Sequence, residues 1–176
     1  MKEFYLTAVA ALCASGFVCA HAQNPQSDTT IVHLRDVEVM ANRADHRTPV
    51  AFSNLTAAEI ERVNDGRDIP FLLESMPSVV TTGDAGGGIG YSGLRVRGTD
   101  ASRINITANG VPINDSESHN VYWVNMPDLA SSVRDIQLQR GAGTSANGAG
   151  AFGASVNMIT DAPSFEPEAE LSASYG

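Results

Sequence analysis

Two strand ends that each close on arginine and then glycine constrain this chain most. One is Gly93-Leu94-Arg95-Val96-Arg97-Gly98, and the other is Ile136-Gln137-Leu138-Gln139-Arg140-Gly141-Ala142-Gly143. In both, apolar and polar residues alternate with the period of a strand. Glycine then lets the chain turn sharply just after a cation. Between the two ends runs Arg103-Ile104-Asn105-Ile106-Thr107-Ala108-Asn109-Gly110-Val111-Pro112, where Asn-Gly flanked by alternating residues predicts a β-hairpin. The expectation is one compact sheet that presents Arg97 and Arg140 together to something outside itself.

The N-terminus bears on which compartment that something occupies. Lys2 is followed by an apolar run from Phe4 to Val18 and then by Ala20-His21-Ala22. This pattern predicts a secretory signal peptide over residues 1–22. Cleavage after Ala22 would leave 154 residues, enough for one core. Cys13 and Cys19, the only cysteines, would leave with the signal, and so would Lys2, the only lysine. The exported chain then has no disulfide, no thiolate and no Schiff-base lysine. A net charge of −9 argues against a nucleic-acid partner.

Residues 23–30 are polar and read as disordered. In 36–41, Val37, Val39 and Ala41 alternate with Glu38 and Met40. This isolated strand pairs either within the domain, as an edge strand, or with another protein by β-augmentation. Residues 42–54 read as a polar connector. Thr56-Ala57-Ala58-Glu59 predicts a capping box opening a helix to about Val63. Asp68 is expected to cap a second helix with Ile69, Leu72, Leu73 and Met76 as its apolar face, ended by Pro77. Val79-Val80-Thr81 starts a strand.

Gly83 to Gly90 contains five glycines and leads into a strand, so it reads as a flexible loop and not as a phosphate cradle. Residues 114–125 read as a long polar loop carrying Tyr122 and Trp123. Pro127 to Ser131 suggests one helical turn. In the strand ending at Arg140, Ile136 and Leu138 lie on one face and Gln137 and Gln139 on the other. Residues 141–153 are small enough for backbone to pack on backbone, and Ser155 to Thr160 forms the last strand of the domain. After a Pro-containing linker, Ala169, Leu171, Ala173 and Tyr175 alternate with polar residues, as in a membrane β-barrel strand. A lone strand of that kind cannot satisfy its backbone in lipid, so a fragment is the simplest account.

The ordered set of motifs resembles a known family. It comprises Leu72 to Val79 (Leu-Leu-x-x-x-Pro-x-Val), Arg95-Val96-Arg97-Gly98, Asn109-Gly110-Val111-Pro112, Ile136 to Gly143, and Phe152 to Thr160. Together these resemble the plug domain of TonB-dependent outer-membrane receptors over roughly residues 37 to 160. The resemblance implies an α/β (α+β) plug with a small mixed sheet and short helices, lodged in a barrel of about 22 strands. It implies this layout: signal peptide 1–22, flexible segment 23–47, plug 48–160, and linker with the start of the first barrel strand 161–176. The TonB box would be Asp36, Val37, Glu38, Val39, Met40 and Ala41, with Met40 where threonine is common.

The implied partners are TonB, with its inner-membrane energising complex, the receptor's own barrel and a small nutrient ligand; no cofactor is implied. Arg97 and Arg140 would face barrel glutamates as a latch, a role for which a planar guanidinium fork is suited. Without the resemblance they read as solvated strand-end charges. Substrate contact would fall on apical loops, at Asp84, Tyr91, Thr99, Asp100, Ser116, His119, Tyr122 and Trp123. Tyr122 and Trp123 either stack on a ligand or pack inward. Asp115, Glu117 and His119 have a spacing that chance supplies in polar loops, and no metal site is assigned. The implied function is energised uptake of a ferric chelate, haem, cobalamin or similar nutrient across the outer membrane. The rivals are a standalone periplasmic binding module engaging TonB or a ligand, and an exported hydrolase using loop Ser, His and Asp residues. Asn109-Gly110-Val111, where glycan importers carry Asp-Gly-Val, leans toward a metal-chelate or small-nutrient receptor.

Overall fold

The computed structural model describes residues 43–143, 147–148 and 150–162. The predicted signal peptide, the 36–41 strand and the alternating 169–175 segment lie outside the described residues. The chain divides into Met1–Glu38 and Val39–Gly176, and the fold is that of the second unit.

A mixed five-stranded sheet forms its frame. In chain order the strands are β1 (Ala51–Thr56), β4 (Ile104–Ala108), β5 (Val111–Pro112), β6 (Val133–Arg140) and β7 (Ala154–Thr160), and their spatial order is β1-β6-β7-β4-β5. β4 and β7 are parallel, and the other pairs are antiparallel. β2 (Val79–Gly83) and β3 (Ser92–Val96) form a separate antiparallel hairpin. The single sheet expected from the two Arg-Gly ends is therefore two sheets. Alternation marks a strand, but it does not name the strand's partner.

Local chemistry explains most of the elements. Asn109 and Gly110 have φ of 51° and 81°, the left-handed pair of a two-residue hairpin turn. Helix α1 (Ala57–Val63) starts as predicted: the Glu59 carboxylate accepts from the Thr56 N–H at 2.9 Å and from its hydroxyl at 2.8 Å. Helix α2 is shorter than expected. It spans Ile69–Leu72 and tightens into a 3-10 turn over Leu73–Ser75 before Pro77. Asp68 sits at its N-cap position, but its carboxylate does not cap. It accepts instead from the Gly90 N–H at 3.0 Å and the Ser92 hydroxyl at 2.5 Å. These bonds, with Asp68 N–H to the Gly88 carbonyl at 2.9 Å, pin the glycine loop that read as flexible.

The expected connector before α1 contains β1, whose register against β6 runs from Ala51 opposite Arg140 to Thr56 opposite Asp135. One face of the large sheet carries Leu55, Ile136, Leu138, Val156, Met158, Ile104 and Ile106. It packs with Ile60, Leu72, Leu73 and Met76, with Leu94 and Val96 of the hairpin, and with Trp123. Fully burying a side chain of this kind stabilises by about 1.5–3 kcal/mol, so this shared core joins both sheets. The opposite face carries Gln137 and Gln139. It is buried as well, contrary to what alternation suggests for a polar face.

Candidate functional site

β6 ends, and β4 and β7 begin, at one pole of the sheet, and the two Arg-Gly motifs meet there. β3 passes into Arg97 and Gly98, with φ of 51° and 74°. A left-handed arginine is uncommon, and backbone of this kind is concentrated at functional sites. The Arg97 N–H donates to the Ser78 carbonyl at 2.8 Å, which holds the turn. The Asp100 carboxylate accepts from the Ser102 N–H at 3.2 Å and hydroxyl at 3.1 Å, capping a 3-10 turn over Ala101–Arg103. Gly153 then stitches the pole together. Its N–H donates to the Arg103 carbonyl at 2.9 Å, and its carbonyl accepts from the Gly141 N–H at 2.8 Å.

The two arginines behave differently. Arg140 is half-buried and folds back on β1, donating to the Ser53 hydroxyl at 2.7 Å and the Phe52 carbonyl at 3.3 Å. The Arg97 side chain is exposed and makes no hydrogen bond or ion pair among the described residues. Its Nη1 lies 3.7 Å from where a Cβ on Gly141 would stand, so the first motif's cation reaches the second motif's turn. Arg95 lies 3.5 Å from Asp100, with both side chains 56% exposed, an ion pair of little worth to stability. With Arg103 beside Asp100, this end of an acidic chain is cationic.

Hydrogen bonds from the Ser102 N–H and hydroxyl hold the Asp100 carboxyl below the usual carboxylate range, with help from Arg95 and Arg103. The Ser118 N–H and hydroxyl do the same for Asp115, the Thr56 N–H and hydroxyl for Glu59, and the Thr48 hydroxyl for Asp45. Depressed folded values stabilise above the unfolded values, and that contribution is lost as pH falls through the folded ones. From these groups, the melting temperature is expected to be flat from pH 7 to 5. It should fall below the ordinary values of 4.5 for Glu59 and 3.8 for the aspartates. Calorimetry across that range checks this; a midpoint that rises in acid contradicts it.

The expected substrate-contact residues divide. Thr99 and Asp100 sit at the arginine pole. Ser116 and His119 are exposed on a loop anchored there by Asn114. The Asn114 side chain accepts from the Ile106 N–H at 2.8 Å and donates to the Ile104 carbonyl at 2.9 Å, taking the place of a neighbouring strand. Sequence reasoning saw Asn114 only as the start of a loop. Asp84 and Tyr91 are exposed at the far end of the β2–β3 hairpin, about 17 Å along the strands from Val96. Tyr122 is 45% exposed, whereas Trp123 is 3% exposed and belongs to the core. Trp123 is therefore corrected from ligand contact to packing. The Asp115 carboxylate serves its own turn, accepting from the Glu117 N–H and from the Ser118 N–H and hydroxyl.

The model of the TonB-dependent Receptor Plug Domain family matches residues 44–155. The Escherichia coli (strain K12) ferrienterobactin receptor is 28% identical over 151 residues, covering 80% of this chain and 20% of that protein. A Vibrio cholerae vitamin B12 transporter, BtuB, is 28% identical over 159 residues, covering 89% and 24%. The chain thus spans about a fifth to a quarter of the length of these relatives. Among solved structures, the Pseudomonas aeruginosa ferric enterobactin receptor PfeA aligns with TM-score 0.50 at 25% identity, over 65% of this chain and 18% of that one. The siderophore receptor PirA from Acinetobacter baumannii shares the fold, with TM-score 0.50 at 24% identity over 67% and 18%. With the mixed sheet and its short helices in place and the family model running from Ala44 to Ser155, this chain belongs to the TonB-dependent receptor plug-domain family.

Proposed function

We propose that residues 48–160 form the plug of an outer-membrane receptor, closing a β-barrel pore and giving way during energised uptake of a scarce nutrient. The observation that carries this reading is the plug-family match over residues 44–155. Relatives named as ferric enterobactin receptors and vitamin B12 transporters support a ferric chelate, cobalamin or similar compact nutrient as the cargo. In this reading the chain is no enzyme. Residues 1–22 export it, residues 36–41 pair as a strand with TonB in the periplasm, and residues 161–176 lead into the barrel. The exposed candidates Asp84, Tyr91, Ser116, His119 and Tyr122 remain available to cargo.

Arg97 and Arg140 are assigned to the latch with barrel carboxylates, in unequal roles. The Arg97 guanidinium has no partner among the described residues and can meet an outside carboxylate, while Arg140 commits two donors to β1. Replacing both, Arg97→Ala with Arg140→Ala, in the full-length receptor is expected to raise passive leak of a large antibiotic through the outer membrane. Arg97→Ala alone should leave the melting temperature of the purified chain unchanged, since its side chain makes no hydrogen bond or ion pair among the described residues. Unchanged leak in the double variant, measured by antibiotic sensitivity at equal receptor abundance, would remove the latch role.

A further inference from the structure

The centre of the sheet face opposite the hydrophobic core is polar, with Asp135 its charged residue on β6 and Phe52 of β1 at its margin. Two cross-strand rows cover it: Gln139, Ser155 and Asn105, then Gln137, Asn157 and Thr107. All but Asn105 are buried. Amides are costly to bury unless hydrogen-bonded, so what covers them matters.

Part of the cover is the run that enters β1. The Ala44 N–H donates to Gln137 Oε1 at 2.7 Å, and the Ala44 carbonyl accepts from Gln137 Nε2 at 3.0 Å. One side-chain amide thus pairs with a backbone residue as an adjoining strand would. Arg43 forms an ion pair with Asp135, and the His46 ring lies 5.8 Å from that of Phe52. None of residues 43–46 joins the main hydrophobic cluster. Along the row, Gln139 donates to Gln137 Oε1 at 2.9 Å and accepts from Asn147 at 2.9 Å, and the Asn147 carbonyl accepts from Asn105 at 2.8 Å. Asn147 Oδ1 and Ser155 Oγ are buried with no hydrogen-bond partner among the described residues. Buried acceptors of this kind gain from water.

We propose that residues 43–46 are a detachable cover, clipped by Gln137 and Asp135 over a sheet face built to be wetted. The segment comes away while the apolar side of the sheet stays folded. Water replaces each hydrogen bond lost in this opening, whereas separating the apolar side would expose hydrocarbon with no such replacement. The inference rests on the proposed function in one respect: tension applied at residues 36–41 reaches this clip before it reaches β1.

NMR-detected hydrogen exchange on the exported chain tests the clip directly, comparing wild type, Gln137→Leu and Asp135→Asn. In the wild type, the Ala44 amide is expected to exchange at least about tenfold faster than the β6 amides, by an independent local opening. Gln137→Leu should speed Ala44 exchange about tenfold further, and Asp135→Asn several-fold, with β6 and β7 amides within about twofold of wild type. Ala44 exchanging together with β6 in the wild type overturns the proposal. Should Gln137→Leu loosen the whole fold, Asp135→Asn decides, because its carboxylate is only partly buried. Acceleration confined to residues 43–50 supports the clip, and none overturns it. Binding of TonB by residues 36–41 is measured separately, so either idea can fail alone.

Discussion

Trp123→Ala is expected to cost about 3–5 kcal/mol of folding stability, a large share of the roughly 5–15 kcal/mol a domain of this size has. The indole is 3% exposed, in the cluster that joins the large sheet to the β2–β3 hairpin. It sits in a 3-10 turn over Trp123–Asn125 that is closed by the Met126 N–H donating to the Trp123 carbonyl at 2.8 Å. Truncation removes the largest side chain available to that core and unseats the loop running from Asn114. Its neighbour provides the contrast. Tyr122→Ala should change stability by no more than about 0.5 kcal/mol, because that ring is half exposed and its hydroxyl makes a long 3.3 Å bond to exposed-loop Ser118. Urea unfolding of both variants separates the two. A loss below about 1 kcal/mol for Trp123→Ala would put the indole outside the core.

Gly153→Ala is expected to destabilise by about 1–3 kcal/mol for the opposite reason, too much volume where there is no room. A Cβ there would stand 2.3 Å from Thr99 Cγ2 and 2.6 Å from Thr99 Cβ. The Thr99 Cβ is fixed to the backbone, so a rotamer change does not relieve the overlap. Both Gly153 backbone groups are also committed, to Arg103 and Gly141, which prevents the strand from backing away. Thr99→Gly removes every atom in the clash. The double variant should therefore recover most of the loss, with a favourable coupling of about 1 kcal/mol or more measured by the double-mutant cycle. Simple additivity would contradict the packing described at the arginine pole.

Parts of this architecture were legible in the residues. Asn109-Gly110 specified a turn, and the register Ala108 opposite Val111 is the one a two-residue loop imposes. Thr56 and Glu59 gave the start of α1, and the alternation before Arg140 gave β6. What escaped depended on partners far along the chain. Ala51-Phe52-Ser53-Asn54-Leu55-Thr56 buries only Leu55, so no period of two marks it as a strand, and its pairing with β6 is a long-range event. Alternation put Gln137 and Gln139 on the face opposite Ile136 and Leu138, but not their burial, because their cover, Ala44 and Asn147, is not written beside them. The amides of Asn114 and Gln137 each pair with a backbone N–H and a backbone carbonyl as a neighbouring strand would, and that of Asn109 pairs with the Thr160 N–H and hydroxyl, a role invisible to composition. The pairing of the Arg-Gly ends was legible as a pattern. The structure adds that Arg140 is partly spent within the domain while Arg97 is free among the described residues.

Whether the plug engages TonB through residues 36–41, as proposed, is decided by titrating the exported chain with the periplasmic domain of TonB. A strand-adding partner uses main-chain hydrogen bonds, and proline at a central position removes a donor and blocks pairing. Saturable one-to-one binding is expected in calorimetry, weakened at least about tenfold by Val39→Pro while the melting temperature of the chain is unchanged. No binding, or binding indifferent to Val39→Pro, would contradict it.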